Sequence, residues 1–107
     1  MNTLRTSFFD DATVFIRSLS KEDRSKIAAN IVKMTTALDS VEIKTLRGPI
    51  KELKVRKYRI LFFIEQGTIY FVSGFIKKTQ KIPSKELLKA EAIYNKYIYN
   101  IKYNESN

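Results

Sequence analysis

The run I-K-E-L-K-V-R-K-Y-R-I-L-F-F-I-E-Q-G-T-I-Y-F-V-S-G-F, residues 50–75, decides the fold. Its apolar positions recur with a period of two, and its apolar residues are mostly β-branched or aromatic, the pattern of half-buried strands. The spacing predicts three antiparallel strands at about 50–55, 58–65 and 68–75. Gln66-Gly67 forms the second turn, with glycine free to take a positive φ, and Arg56-Lys57 forms the first. Two-residue turns set the register. Val55 then pairs with Tyr58, Leu53 with Ile60 and Lys51 with Phe62 on one face, which adds Phe71 and Phe75 and should lie under helices. Glu52 pairs with Leu61, and Lys54 with Arg59, on the other face. Across the second turn Arg59 is expected opposite Gly74, and Leu61 opposite Val72. Two cations paired directly across strands repel. A local conflict of this kind, beside a residue without a side chain, is the mark of a binding site.

Working outward, residues 8–19 have helical spacing of Phe8, Ala12, Phe15, Ile16 and Leu19. Ser20 begins an S-x-x-D capping pattern with Asp23, and the helix that follows presents Ile27, Ile31, Met34 and Leu38 as an apolar stripe. Residues 39–49 read as a loop closed by Gly48-Pro49. After the sheet, residues 76–83 form a basic loop. Pro83-Ser84 opens a last helix whose inner side carries Leu87, Ala90, Tyr94, Tyr97 or Ile98, and Ile101; residues 104–107 are expected to fray. The fold class is α+β: N-terminal helices and a C-terminal helix on a small antiparallel sheet, one domain over residues 1–107.

The chain has 107 residues, 44% of them hydrophobic, enough to form a core. It contains no His and no Cys, which excludes thiol nucleophiles, disulfide frameworks, zinc sites and every His-based triad. No metal or other cofactor is expected. No apolar run is long enough for a signal-peptide core or a membrane span, so the expected location is cytoplasmic. Net charge is +9, and it is uneven. Residues 41–107 hold fourteen basic and six acidic groups, against six and five in residues 1–40. The excess gathers in Lys44, Arg47, Lys51, Lys54, Arg56, Lys57 and Arg59, then in Lys77, Lys78, Lys81, Lys85 and Lys89. Such clusters are usually solvated surface, but these border strands and favour a polyanionic partner.

Residues 46–63, L-R-G-P-I-K-E-L-K-V-R-K-Y-R-I-L-F-F, and residues 74–90, G-F-I-K-K-T-Q-K-I-P-S-K-E-L-L-K-A, resemble the RelE/ParE toxin superfamily. The likeness is greatest to its HigB-type branch, which includes phage-derived relatives. That branch has an E-L-R strand, a Y-R strand and an F-x-K-K-T loop before the last helix. Lys54 stands where the branch has Arg, which keeps the charge and loses the bidentate fork. The turn between the two strands is shortened to Arg56-Lys57. The resemblance implies a RelE-like fold and the toxin of a type II toxin–antitoxin pair, a ribosome-dependent mRNA endoribonuclease that inhibits translation. The implied partners are mRNA, the ribosome and a cognate antitoxin of the helix-turn-helix, HigA-like kind. The ParE branch instead inhibits DNA gyrase without cleaving RNA, and a basic RNA-binding module without catalysis is the third reading.

Metal-independent RNA cleavage needs a base for the 2′-hydroxyl, an acid for the leaving 5′-oxygen, and cations for the phosphoryl oxygens. Arg supplies only the last. Lys can carry a proton if neighbouring cations or desolvation lower its pKa. The catalytic candidates are therefore Arg59 and Lys77 as phosphate clamps, with Lys54 or Lys78 as proton carrier. Arg56, Lys57, Gln80 and Lys81 are RNA-binding candidates. Tyr94, Tyr97, Tyr99 and Tyr103 read mainly as helix packing; Tyr97 is kept as a base-stacking candidate. Glu52 is read as a salt-bridge partner of Lys54 or Arg59. Asp10 and Asp11 are read as acids suited to a helix start.

Overall fold

The computed structural model describes residues 3–105. The predicted central hairpins are present as β3 (Ile50–Val55), β4 (Tyr58–Glu65) and β5 (Thr68–Ile76). Two further strands complete the sheet, β1 (Arg5–Phe8) and β2 (Glu42–Arg47), in the order β1-β5-β4-β3-β2. β1 runs parallel to β5 and all other pairs are antiparallel, so the sheet is mixed, with five strands instead of three. The helices are α1 (Asp10–Arg17), α2 (Lys21–Thr36) and α3 (Ser84–Glu105).

Each face of the sheet has its own core. Leu53, Val55, Tyr58, Ile60, Phe62, Ile69 and Phe71 pack under α1 and α2 against Ala12, Ile27, Ile31 and Met34. Ile50, Leu61, Phe63 and Val72 pack under α3 against Ala90, with Leu87, Ile93, Tyr94 and Tyr97 closing the edge. Both faces of β4 are therefore covered, which is why all its residues from Tyr58 to Phe63 are buried.

Ser20 caps α2 as its sequence pattern implies, its Oγ accepting from the Asp23 N–H at 3.2 Å. Leu38 lies beyond the helix in a one-turn 3-10 helix (Leu38–Ser40) and is exposed, because the backbone leaves helical geometry at Ala37 (φ −150°). The stretch read as a loop over 39–49 contains β2. Ile43 turns to the α2 side and Leu46, three residues on, to the α3 side, and a register shift between Thr45 and Arg47 puts Arg47 opposite Ile50 on the α3 side as well. With one apolar residue on each face, the stretch shows no alternation that reads as a strand. β1 has no alternation at all; it is held by Arg5 N–H to Gly67 O, Phe9 N–H to Phe71 O and the stacking of Phe8 on Phe71 (4.9 Å).

The first hairpin has the expected register, with Lys54 opposite Arg59 and Glu52 opposite Leu61. The second departs from it. Pairing steps by one between Leu61 and Phe62, so Phe62 faces Phe71, Leu61 faces Ser73, and Val72 is the extra residue of a bulge on β5. Arg59 consequently faces Phe75 and not Gly74. Phe75 joins the α3-side cluster instead of the α1–α2 side, because one inserted residue reverses the face of everything after it. Gly74 faces α1, where a Cβ would run into the Phe15 ring. Its missing side chain serves helix packing. At the C-terminus α3 continues through Glu105, so residues 104 and 105 are helical rather than frayed, and the remainder of that expectation lies outside the described residues.

Candidate nucleic-acid interface

Lys54 and Arg59 sit opposite each other at the end of the β3–β4 hairpin. The Lys77 N–H donates to Lys57 O at 2.8 Å, which carries the β4–β5 ladder one residue beyond β5 and fixes the start of the basic loop beside them. Lys54, Arg59 and Lys77 form the shared wall of two adjoining clefts. One, of about 410 Å³, is completed by Glu52 and residues 41–44 of the β2 edge. The other, of about 520 Å³, is completed by Lys78, Thr79 and Gln80. A phosphate on the common wall would meet three cations, with room for a neighbouring nucleotide on either side.

Arg59 is the fixed member of this set. It is 8% exposed and Glu52 is 3% exposed. Arg59 Nε lies 2.9 Å from Glu52 Oε1, close enough for an ion pair although its N–H is not aligned on the oxygen as a hydrogen bond requires. Arg59 Nη1 donates to the carbonyls of Arg56 (2.8 Å) and Tyr58 (2.9 Å). Glu52 Oε2 is buried without a hydrogen-bond partner among the described residues. Lys54 is looser: it pairs with Glu42 of β2 at 3.7 Å, and both are well exposed, a pairing worth little in water.

Of the sequence candidates, Lys54, Arg59, Lys77, Lys78 and Gln80 are thus brought together. Arg56 and Lys57 do not line the clefts. Arg56 lies 3.9 Å from Asp23 of α2, and the Lys57 ammonium sits over the Tyr58 ring at 5.5 Å. The Tyr58 hydroxyl donates to Asp23 at 2.5 Å. That bond, reinforced by the Arg56 and Lys57 charges, holds the Asp23 carboxyl below the usual carboxylate range; the same bond, with burial and the Asp23 charge, pushes the Tyr58 phenol up against the opposing pull of Arg56. Lys81 is exposed on the loop, where its carbonyl accepts from Thr79 at 3.1 Å, and lines neither cleft.

Tyr97 is elsewhere. It packs on Phe63 and shares a 2.5 Å hydroxyl contact with Tyr70, six residues and about 20 Å along β5 from the Lys77 end. Burial, then the Tyr70 contact, pushes its phenol up to about 12. Asp10 and Asp11 occupy the first turn of α1, and Asp11 pairs with Lys89 of α3. Arg47 grips Glu91 through two hydrogen bonds of 2.9 and 2.5 Å, a second clamp on α3.

The sequence reading missed the wall made by residues 41–44 and Thr79. The signal for the first was Glu42, whose opposite charge suits the position facing Lys54 once β2 is recognised as a strand.

Residues 14–95 match the family described as phage-derived protein Gp49-like (DUF891). Among solved structures, the chain is similar to one in the archaeal RelE–RelB complex from Pyrococcus horikoshii. The TM-score is 0.63 at 12% identity, covering 70% of this chain and 96% of that one. It is similar to the isolated E. coli RelE toxin (TM-score 0.58, 15% identity, 92% and 98% covered). It is also similar to the Staphylococcus aureus YoeB dimer chain (TM-score 0.52, 12% identity, 72% and 98% covered). No curated protein matches the chain significantly in sequence. The resemblance seen in residues 46–63 and 74–90 therefore extends to the whole architecture, and the chain belongs to the phage-derived Gp49-like family with a RelE-like toxin fold.

Proposed function

We propose that this protein is the toxin of a type II toxin–antitoxin pair of the HigB-type branch, and that it cleaves mRNA on translating ribosomes. The observation that carries this reading is the confluence of Lys54, Arg59, Lys77 and Lys78 around two clefts at one end of the sheet. The RelE-like fold supports it, since relatives of that fold are crystallised as toxins with their antitoxins. In cleavage, the 2′-oxygen attacks the adjacent phosphorus and the 5′-oxygen leaves. Arg59 and Lys77 neutralise charge on the phosphoryl oxygens, and Lys54 or Lys78 carries the proton. Positioning is left to the ribosome, so a site without histidine need supply only charge and proton transfer. A helix-turn-helix antitoxin of the HigA-like kind would silence the protein by covering this basic end.

The test is induction in bacterial cells with primer-extension mapping of mRNA 5′ ends, with and without a translation block. New ends within translated frames that vanish when translation stops are expected. Growth arrest with intact mRNA would overturn the nuclease reading in favour of an inhibitor that cuts nothing. Full toxicity in an Arg59→Ala, Lys78→Ala double variant would overturn the site.

A further inference from the structure

An arginine side chain offers five N–H bonds. In Arg59, Nε is set against Glu52 Oε1, and Nη1 is shared between the Arg56 and Tyr58 carbonyls. Among the described residues no protein acceptor engages Nη2. The guanidinium is thus held on two of its three nitrogens, and it lines both clefts. The turn that supplies the Arg56 carbonyl contains Arg56 itself at φ 56°, a left-handed conformation that non-glycine residues avoid.

We infer that Glu52 is a positioning residue, which with these two carbonyls fixes Arg59 so that Nη2 alone meets a phosphate of single-stranded RNA lying across the two clefts. This rests on the reading of the cationic cluster as the RNA site. Glu52 is otherwise hard to account for. A buried carboxylate beside an anion site repels the ligand, and one of its oxygens is unsatisfied. Holding Arg59 in one orientation is the compensating gain, because a pre-oriented donor loses less freedom when the phosphate arrives. The assignment also accounts for Lys54 where the branch has Arg: Arg59 already supplies the oriented donor, and a flexible point charge suffices opposite it.

The sign of one substitution separates positioning from charge. Glu52→Met and Glu52→Gln each remove a negative charge beside the clefts, so electrostatics alone makes both tighten RNA binding. Positioning makes Glu52→Met weaken it, while Glu52→Gln, which keeps an acceptor oxygen, recovers part of the loss. The experiment is equilibrium binding of a short labelled single-stranded RNA to the full chain, in wild type, both Glu52 variants, Arg59→Ala, and Glu52→Met with Arg59→Ala. The expected loss for Glu52→Met is about tenfold, the scale of one charge-assisted contact. It should disappear in the Arg59→Ala background. Binding by Glu52→Met as tight as wild type, or tighter, overturns the inference. Wild-type binding by Arg59→Ala would instead overturn the site itself. If Glu52→Met does not fold, the wild type decides by NMR of its arginine side chains. RNA should shift the Arg59 Nη2 signals and leave Nε in place, and equal shifts, or none, overturn the inference.

Discussion

Gly74→Ala tests whether this glycine serves the ligand or the helix. No positive φ is involved, so alanine is compatible with the backbone and would by itself gain about 0.5–1 kcal/mol over glycine in a strand. Against this, the new Cβ falls within 3 Å of three Phe15 ring atoms. Phe15 is partly buried on α1 and packs edge-on to Tyr58, with ring centroids 6.0 Å apart. The ring cannot yield without moving α1 or abandoning Tyr58, and overpacking of this kind costs about 1–3 kcal/mol. The clash wins, leaving a net loss of about 1–2 kcal/mol. At a urea m-value of about 1–1.5 kcal/mol/M, typical of this size, the midpoint should fall by roughly 1 M. Because Gly74 faces away from the clefts, cleavage of translated mRNA below the melting temperature should be unchanged. Adding Phe15→Leu should relieve the clash, giving a coupling of about 1 kcal/mol in the double-mutant cycle. Unchanged stability, or lost activity in a fully folded Gly74→Ala protein, would refute the assignment of Gly74 to helix packing.

Tyr58→Phe should flatten the acid limb of the stability curve. The folded pKa of Asp23 lies below its unfolded value, so its contribution is present above the unfolded value and lost as pH falls through the folded one; urea midpoints between about pH 7 and 3 measure it. At the alkaline end the sign reverses for Tyr97. Its folded pKa of about 12 lies above the ordinary 10, so its contribution is full below pH 10 and lost as pH rises toward 12. Tyrosinate absorbance in Tyr97→Phe should accordingly lose a late-titrating component. RNA affinity should fall with salt, and Lys54→Ala or Lys78→Ala should each reduce the logarithmic slope by about 0.7. Lys33→Ala, on α2 and away from the clefts, should leave that slope unchanged.

The legible parts of the fold were those in which side-chain period and turn chemistry agree. Residues 50–65 alternate cleanly around a two-residue turn, and the pairing of Lys54 with Arg59 followed from that alone. β1 and β2 were not legible because each is stabilised by its neighbour more than by its own pattern. β1 pairs in parallel with a strand some sixty residues on, and β2 has one apolar residue on each face. The β5 bulge is silent for the same reason: Tyr70, Phe71, Val72 and Ser73 give no sign that one of them is supernumerary. Of the candidate site, the cations on β3, β4 and the following loop were visible as charge beside strands. The wall from residues 41–44 depended on a strand not recognised, and the outward paths of Arg56 and Lys57 depended on Asp23 in a distant helix.

The Val72 bulge also separates what the protein contains from how it is arranged. It works as a phase shifter: every residue of β5 beyond it has exchanged sides of the sheet, which brings Phe75 and Lys77 round to the α3 side where the clefts lie. A chain lacking only that valine would keep all twenty of its basic residues and its charge of +9. Its sheet could close without the bulge and keep the pairs Phe62–Phe71, Leu61–Ser73 and Arg59–Phe75, so Lys77 would stay on the α3 side beside Arg59. The same residues paired without a bulge would instead turn Lys77 toward α1 and away from Arg59: affinity arising from bulk charge would survive that slip, whereas any activity that depends on the shared wall would be lost with no change of composition.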